Sequence, residues 1–239
     1  MCEATFYGVG VGPGDPELIT LKALRLIKGA PVVAYLASDE GSSQARAIAR
    51  EAFVDQSTAQ IEIPICMPMS TDRSLANKAY DEGAALIRQQ LKAGHDVVFL
   101  CEGDPLFFGS FTYLLERLQA EFSCQVVPGI SSVNAAAAEL KHPLTMLKES
   151  FVVVSGRHTD EQIRTALNDH DSVVIMKAGR ARPRILNLLG ETGRAEEASY
   201  LEYIGRENQR IETNLNRLTP EAGPYFSLFV VTRKERNSR

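Results

Sequence analysis

The chain has 239 residues, 44% hydrophobic and 23% charged, with a net charge of -4. That is an ordinary soluble globular composition, with room for one large domain or two small ones. The acidic balance argues against nucleic acid or an anionic membrane as the main partner, and no apolar run approaches the ~18 residues of a membrane span.

In chain order, apolar β-branched segments alternate with segments of helical period. Thr5 to Val11 reads as a strand. Asp15 to Lys28 reads as a helix, with Asp15 as N-cap, Pro16 at N1 and Gly29 as its stop. Pro31 to Tyr35 is a strand, Ser42 to Phe53 a helix, Gln60 to Ile65 a strand, and Leu75 to Ala93 a long helix ended by Gly94. The continuous apolar run Asp96 to Cys101 predicts a buried strand. Ser110 to Ala120 follows as a helix and Cys124 to Val127 as a short strand. This alternation predicts a mainly parallel sheet covered by helices on both faces.

"PGISSVNAAAAELKHPL" breaks that rhythm. Pro128 and Gly129 make a turn, Ser131 or Ser132 caps an alanine-rich helix, and His142 and Pro143 end it. A second series follows: strand Phe151 to Ser155, helix Asp160 to Leu167, strand Ser172 to Met176, helix Pro183 to Leu189. The last strand-like runs, Ala198 to Tyr203, Gln209 to Asn214 and Tyr225 to Thr232, have few helices between them and predict a mixed sheet. The expected organisation is two α/β domains, 1–127 and 128–239, ending in a frayed polar tail, "RKERNSR".

Cys2, Cys66, Cys101 and Cys124 form no CxxC pair, so they read as reduced, buried thiols of a cytoplasmic protein. The N-terminus lacks the basic and apolar regions of a signal peptide. The four histidines show no metal-ligand spacing, and no metal is expected.

"GVGVGPGDPE" follows the first strand like a nucleotide loop. A dinucleotide fingerprint needs GxGxxG. Counting from Gly8, the third glycine falls on Pro13; counting from Gly10, it falls on Asp15. Asp39 and Glu40 stand where a ribose-binding acid would, yet the loop itself fails. A nicotinamide dehydrogenase is therefore disfavoured. A tight capped turn explains Gly12, Gly14, Asp15 and Pro16. It leaves Gly8 and Gly10 unexplained, because glycine weakens a strand interior. Their missing side chains imply that another backbone or a bulky ligand comes close.

"CEGDPLFFG", residues 101 to 109, likewise joins a strand to a helix, where ligands bind in open parallel sheets. Gly103 permits close approach, Asp104 accepts hydrogen bonds, and Pro105 fixes the turn. Alone, this is also what a helix cap looks like.

Together, "GVGVGPGDPELITLKALRLI", "EGDPLFFGS" and "VPGISSVNAAAA", in this order, resemble the tetrapyrrole methylase family over essentially the whole chain. With "GSSQARAIA" and "EGDPLFFGSFTYLLERL", the chain looks most like the C-20 methyltransferases of corrin biosynthesis, which act on precorrin-2. Glu102 and "GISS" depart from the uroporphyrinogen methylases, which carry a glycine before GDP and a threonine-alanine pair.

The resemblance implies a homodimer that binds S-adenosylmethionine (SAM) in a cleft between the two α/β domains. It places SAM contacts at Pro13, Glu102, Gly103, Asp104, Phe107, Ser131, Ser132, Met176, Ile204 and Ser227. SAM's adenine, ribose hydroxyls and zwitterionic end suit such backbone groups, hydroxyls, acid and apolar walls. A strand methionine such as Met176 is, by itself, more often core. A non-catalytic tetrapyrrole carrier is disfavoured because every SAM-loop position is retained.

The implied reaction is methyl transfer to the C-20 meso carbon of a reduced tetrapyrrole, chiefly by in-line placement. Asp104, Glu102 and water are the candidate proton acceptors. The substrate is a polycarboxylate, so a net acidic protein needs a local cationic patch. "KAGRARPR" offers Lys177, Arg180, Arg182 and Arg184, and the three arginines are expected to bind substrate carboxylates.

Overall fold

The computed structural model describes residues 4–53, 59–68 and 72–234. The chain divides into two compact units, Met1–Ser132 and Val133–Arg239. The turn at Pro128 and Gly129 thus packs with the first unit.

The first unit holds strands β1 (Thr5–Gly10), β2 (Val32–Ala37), β3 (Ile61–Cys66), β4 (Val97–Cys101) and β5 (Ser123–Val127). They form one sheet of order β3-β2-β4-β1-β5, and every pairing is parallel. Helices α1 (Leu21–Gly29), α2 (Gln44–Ile48), α3 (Arg73–Lys92) and α4 (Phe111–Leu118) cover it.

Strand alternation sorts the core into two layers. Phe6, Ala34, Ile63 and Phe99 pack with Ile87 of α3 and Phe111 and Leu114 of α4. Val9, Val33, Val98 and Leu100 face Ala23 and Ile27 of α1 and Ile48 of α2. The sheet is therefore doubly wound.

The second unit is built on β6 (Phe151–Ser155), β7 (Ser172–Met176), β8 (Ala198–Glu202), β9 (Arg210–Glu212) and β10 (Ser227–Thr232), in the order β6-β7-β10-β8-β9. Only β6 and β7 are parallel; β10 runs antiparallel to both β7 and β8. Helices α6 (Asp160–Asp169) and α7 (Arg182–Glu191) bury Ile163, Leu167, Ile185 and Leu189 on one face. The alanine-rich α5 (Ser132–Leu140) packs Val133, Ala135 and Ala136 on the other, against Val174, Leu201 and Val230. The mainly parallel first sheet and mixed second sheet agree with the expectation from sequence.

Two helices differ from their predicted form. The segment expected as Asp15 to Lys28 is a 3-10 turn, Pro16–Leu18, followed by a separate α1. Asp15 caps the turn by accepting from Glu17 N–H, and Thr20 caps α1 by accepting from Ala23 N–H. Ile19 between them is extended, at φ -70° and ψ 128°, so the helical ladder cannot run through. Gly29 is the last residue of α1, and Ala30 is its C-cap. Similarly, Ser42 to Phe53 divides into α2 and a 3-10 turn, Arg50–Phe53.

Cys101 is buried and Cys124 partly so, but Cys66 at the end of β3 is exposed, contrary to its expected packing role. Its neighbours alternate, with Ile63 and Ile65 turned inward and Cys66 outward. Cys2 and residues 235–239 lie outside the described residues. Among the described residues, no helix is long and apolar enough to cross a membrane.

Candidate active site

In the first unit, the connection after β1 runs over the α1 face toward β2, and the connection after β4 runs over the α4 face toward β5. β1 and β4 are neighbours, so adjacent strands send their loops to opposite faces. That is a topological switch point, the place where open α/β sheets bind ligands. Both glycine loops lie on it.

The glycines have a steric explanation there. The Phe111 ring lies over Gly8, where an added Cβ would fall 2.6 Å from its atoms. Phe111 is fully buried and stacks on Phe6 with ring centroids 5.2 Å apart. Burying such a ring stabilises by roughly 1.5–3 kcal/mol. At Gly10, a Cβ would lie 2.6 Å from Gly103 O and from Gly129 N and Cα. Of the two close neighbours the sequence left open at Gly10, backbone is the one present.

The loops are laced together. Gly103 N–H donates to Gly12 O at 2.8 Å, Gly12 N–H to Gly103 O at 3.4 Å, and Val11 N–H to Cys101 O at 2.9 Å. Gly12 and Gly103 take φ values of +81° and +64°, which favour glycine. Asp104 fastens the third loop: Leu106 N–H donates to its Oδ1 at 2.9 Å and Gly129 N–H to its Oδ2 at 3.1 Å. Both carboxylate oxygens thus hold backbone, which is a positioning role. Pro13, next to Gly12, is buried.

An added Cβ on Gly103 would find nothing nearer than Ile130 O and Ser131 Cα, both at 3.9 Å. Glu102 and Phe107 are exposed, Ser131 is buried and Ser132 partly buried. Pro13, Glu102, Gly103, Asp104, Phe107 and Ser131 therefore lie on the loops and turn that follow β1, β4 and β5, on one edge of the parallel sheet, and Ser132 begins α5. Asp39 is exposed in the turn after β2.

In the second unit, Met176 ends β7, Ser227 begins β10, and Ile204 follows β8. The antiparallel registers Leu228↔Met176 and Ser227↔Glu202 bring them to one edge of that sheet. Ser227 is buried, with its hydroxyl donating to Pro224 O at 2.8 Å. Met176 packs at the fringe of the core, as the sequence alone allowed.

The cationic patch is not assembled as expected. Arg182 is buried, with 5% exposure. Its Nε donates to Glu221 O at 2.7 Å and its Nη2 to Thr219 Oγ1 at 3.1 Å, while Nη1 stands 3.4 Å from Glu202. Arg184 donates to Gly156 O at 2.6 Å and His158 O at 3.0 Å, and pairs with Asp160. Both guanidinium groups tie internal segments of the second unit. Of the three arginines, Arg180 is exposed, Arg184 partly buried and Arg182 buried.

Comparison with known proteins bears on this geometry. The family profile for Tetrapyrrole (Corrin/Porphyrin) Methylases matches residues 5–219. The chain is 34% identical to a precorrin-2 C(20)-methyltransferase of Sinorhizobium sp, covering 94% of this chain and 93% of that one. It is 31% identical to the cobalt-precorrin-2 C(20)-methyltransferase of Salmonella typhimurium, covering 95% and 96%. It spans only 45% of the cobalamin biosynthesis protein CobIJ of Mycobacterium tuberculosis, at 35% identity over 95% of this chain. Among solved structures, the uroporphyrin-III C-methyl transferase of Thermus thermophilus complexed with S-adenyl homocysteine superposes with a TM-score of 0.68 and 26% identity, over 96% and 98% of the two chains. On the sequence match and the doubly wound glycine-loop unit together, the chain belongs to the tetrapyrrole (corrin/porphyrin) methylase family.

Proposed function

We propose that this protein is a SAM-dependent C-methyltransferase that converts precorrin-2 to precorrin-3A by methylating C-20. The observation that carries the position of methylation is the 34% identity, over nearly the whole of both chains, to the precorrin-2 C(20)-methyltransferase of Sinorhizobium. The Salmonella relative supports a second reading, in which the same carbon is methylated on a cobalt-containing ring. The relative complexed with S-adenyl homocysteine supports SAM as donor.

Bound SAM supplies a methyl group already activated on a sulfonium. The protein's part is then placement. The exposed side chains of Glu102 and Phe107, in the same loop as the half-buried Gly103, fit a ligand with a flat apolar face and hydroxyls to be accepted. Pro13, Ser131 and Ser132 complete the proposed contacts of the first unit. Met176, Ile204 and Ser227 are the proposed contacts of the second. Asp104 holds the loops in register, which leaves Glu102 or water to take the proton released at C-20. Arg180 is retained as a substrate-carboxylate ligand. The protein works in the cytoplasm as a homodimer, by family resemblance.

Incubation with SAM and either metal-free or cobalt-loaded precorrin-2, followed by mass and regiochemical analysis, tests the proposal. The expected product gains one methyl at C-20. Methylation at another carbon, or none on either substrate, overturns it.

A further inference from the structure

Residues 219–226 lead into β10, at the sheet edge where Met176, Ile204 and Ser227 lie. Arg182, at the start of α7, donates along this strap: Nε to Glu221 O at 2.7 Å, Nη2 to Thr219 Oγ1 at 3.1 Å and to Ala222 O at 3.4 Å. Its Nη1 pairs with buried Glu202, which ends β8 in register with Ser227. Gly223 N–H donates to Gly179 O at 2.9 Å. Both glycines sit where the strap is tightest. An added Cβ would collide with Pro224 O at Gly179 and with Tyr200 Oη at Gly223. The other end of the strap is tied to the proposed site. Ser227 Oγ donates to Pro224 O at 2.8 Å, and Tyr203 N–H to Phe226 O at 2.9 Å. Tyr203 immediately precedes Ile204 and takes φ +51°, in the left-handed region that bulky residues rarely adopt.

We propose that Arg182 is a positioning residue for SAM: it fixes the 219–226 strap, and through it Ser227 and Ile204, without touching the ligand. The inference rests on the methyltransferase reading, which makes those two residues SAM contacts. A planar guanidinium fixes direction as well as distance, and here one fork spans three acceptors on the strap and a carboxylate on β8. A strained backbone such as that of Tyr203 persists only where its surroundings over-determine it, and Phe226 O on the strap is one of those surroundings. Arg182 thus does in the second unit what Asp104 does in the first, where both carboxylate oxygens fasten backbone. Arg194 is the contrasting case. It too is buried, and it donates to Leu167 O, His170 O and Asp171 O, but these lie at the opposite edge of the sheet, where β7 begins.

Arg194→Gln is therefore the matched control, and the test uses the full chain. In calorimetric titration, Arg182→Gln should raise the Kd for S-adenosylhomocysteine by roughly fivefold or more, the contribution of one hydrogen bond. Arg194→Gln, although it also destabilises the fold, should leave that Kd unchanged. Gly179→Ala displaces the strap with Arg182 still in place; it should raise the Kd too, and it gives the same test if Arg182→Gln does not fold. Hydrogen exchange followed by mass spectrometry needs no ligand. Peptides covering 219–227 should exchange faster in Arg182→Gln than in wild type or Arg194→Gln. Wild-type protein that binds no S-adenosylhomocysteine defeats the methyltransferase reading, and exchange alone then decides whether Arg182 holds the strap. With wild-type binding intact, an unchanged Kd in Arg182→Gln and Gly179→Ala, or an equal rise in Arg194→Gln, defeats the positioning role. So does strap exchange in Arg182→Gln that matches wild type.

Discussion

Gly10→Ala is a one-carbon perturbation with a calculable consequence. The added Cβ would lie 2.6 Å from Gly103 O, Gly129 N and Gly129 Cα. Non-bonded carbon contacts are comfortable near 3.5–4.0 Å, so two loops must each retreat by roughly 1 Å. All three obstructing atoms are backbone, and no rotamer change relieves them. Overpacking of this kind costs about 1–3 kcal/mol. The retreat also stretches the Gly103-to-Gly12 bond of 2.8 Å and the Gly129-to-Asp104 bond of 3.1 Å, each worth about 1 kcal/mol. A loss of about 2–4 kcal/mol should lower Tm by roughly 4–16 °C for a chain of this size. Gly190→Ala is the control: it lies within α7, and its added Cβ would meet nothing within 4 Å. That variant should be more stable by roughly 0.5–1 kcal/mol, because alanine is the better helix former. Thermal melting of both variants, with calorimetric titration of S-adenosylhomocysteine, gives the comparison. If Gly10→Ala melts like wild type and binds S-adenosylhomocysteine normally, backbone crowding does not hold these loops.

Arg182→Gln should lower stability by about 3–5 kcal/mol, because it leaves Glu202 buried without its partner. Denaturant unfolding should show that loss, with the precorrin-2 KM little changed; the opposite pattern would restore Arg182 to substrate binding. Asp104→Ala should weaken S-adenosylhomocysteine binding far more than Asp39→Ala, since only Asp104 fastens the loops at the switch point. Equal effects in calorimetry would refute that distinction. The Tyr35 hydroxyl donates to Glu62 at 2.7 Å, and burial followed by that carboxylate pushes its pKa up to about 12 from 10.0. Since the folded value is the higher, this contribution is complete below pH 10.0 and is lost as pH rises toward about 12. Melts across that window should show a smaller alkaline loss for Tyr35→Phe than for wild type.

The sheets were legible because strands bury alternating or continuous apolar runs, a signal held entirely in local sequence. β6 and β7 coincide with their predicted limits. The break before α1 was harder to read. Thr20 had to be seen as a second cap within a segment whose apolar spacing continues through Ile19. The roles of Arg182 and Arg184 were not legible at all. A guanidinium is silenced by carbonyls from distant segments, Glu221 for one and Gly156 for the other, and no local pattern announces those partners.

The meeting of Gly10, Gly103 and Gly129 also limits how this protein can vary. In most crowded interiors, a residue that grows is accommodated by a neighbour that shrinks. Here each neighbour is already at its minimum: a Cβ on Gly129 would fall 2.0 Å from Gly103 O and 2.8 Å from Gly10 Cα. No second-site substitution can trim what is not there. Changes at Gly10 and Gly129 should therefore be rescued only by lengthening or re-routing a loop, an insertion or deletion rather than a point mutation.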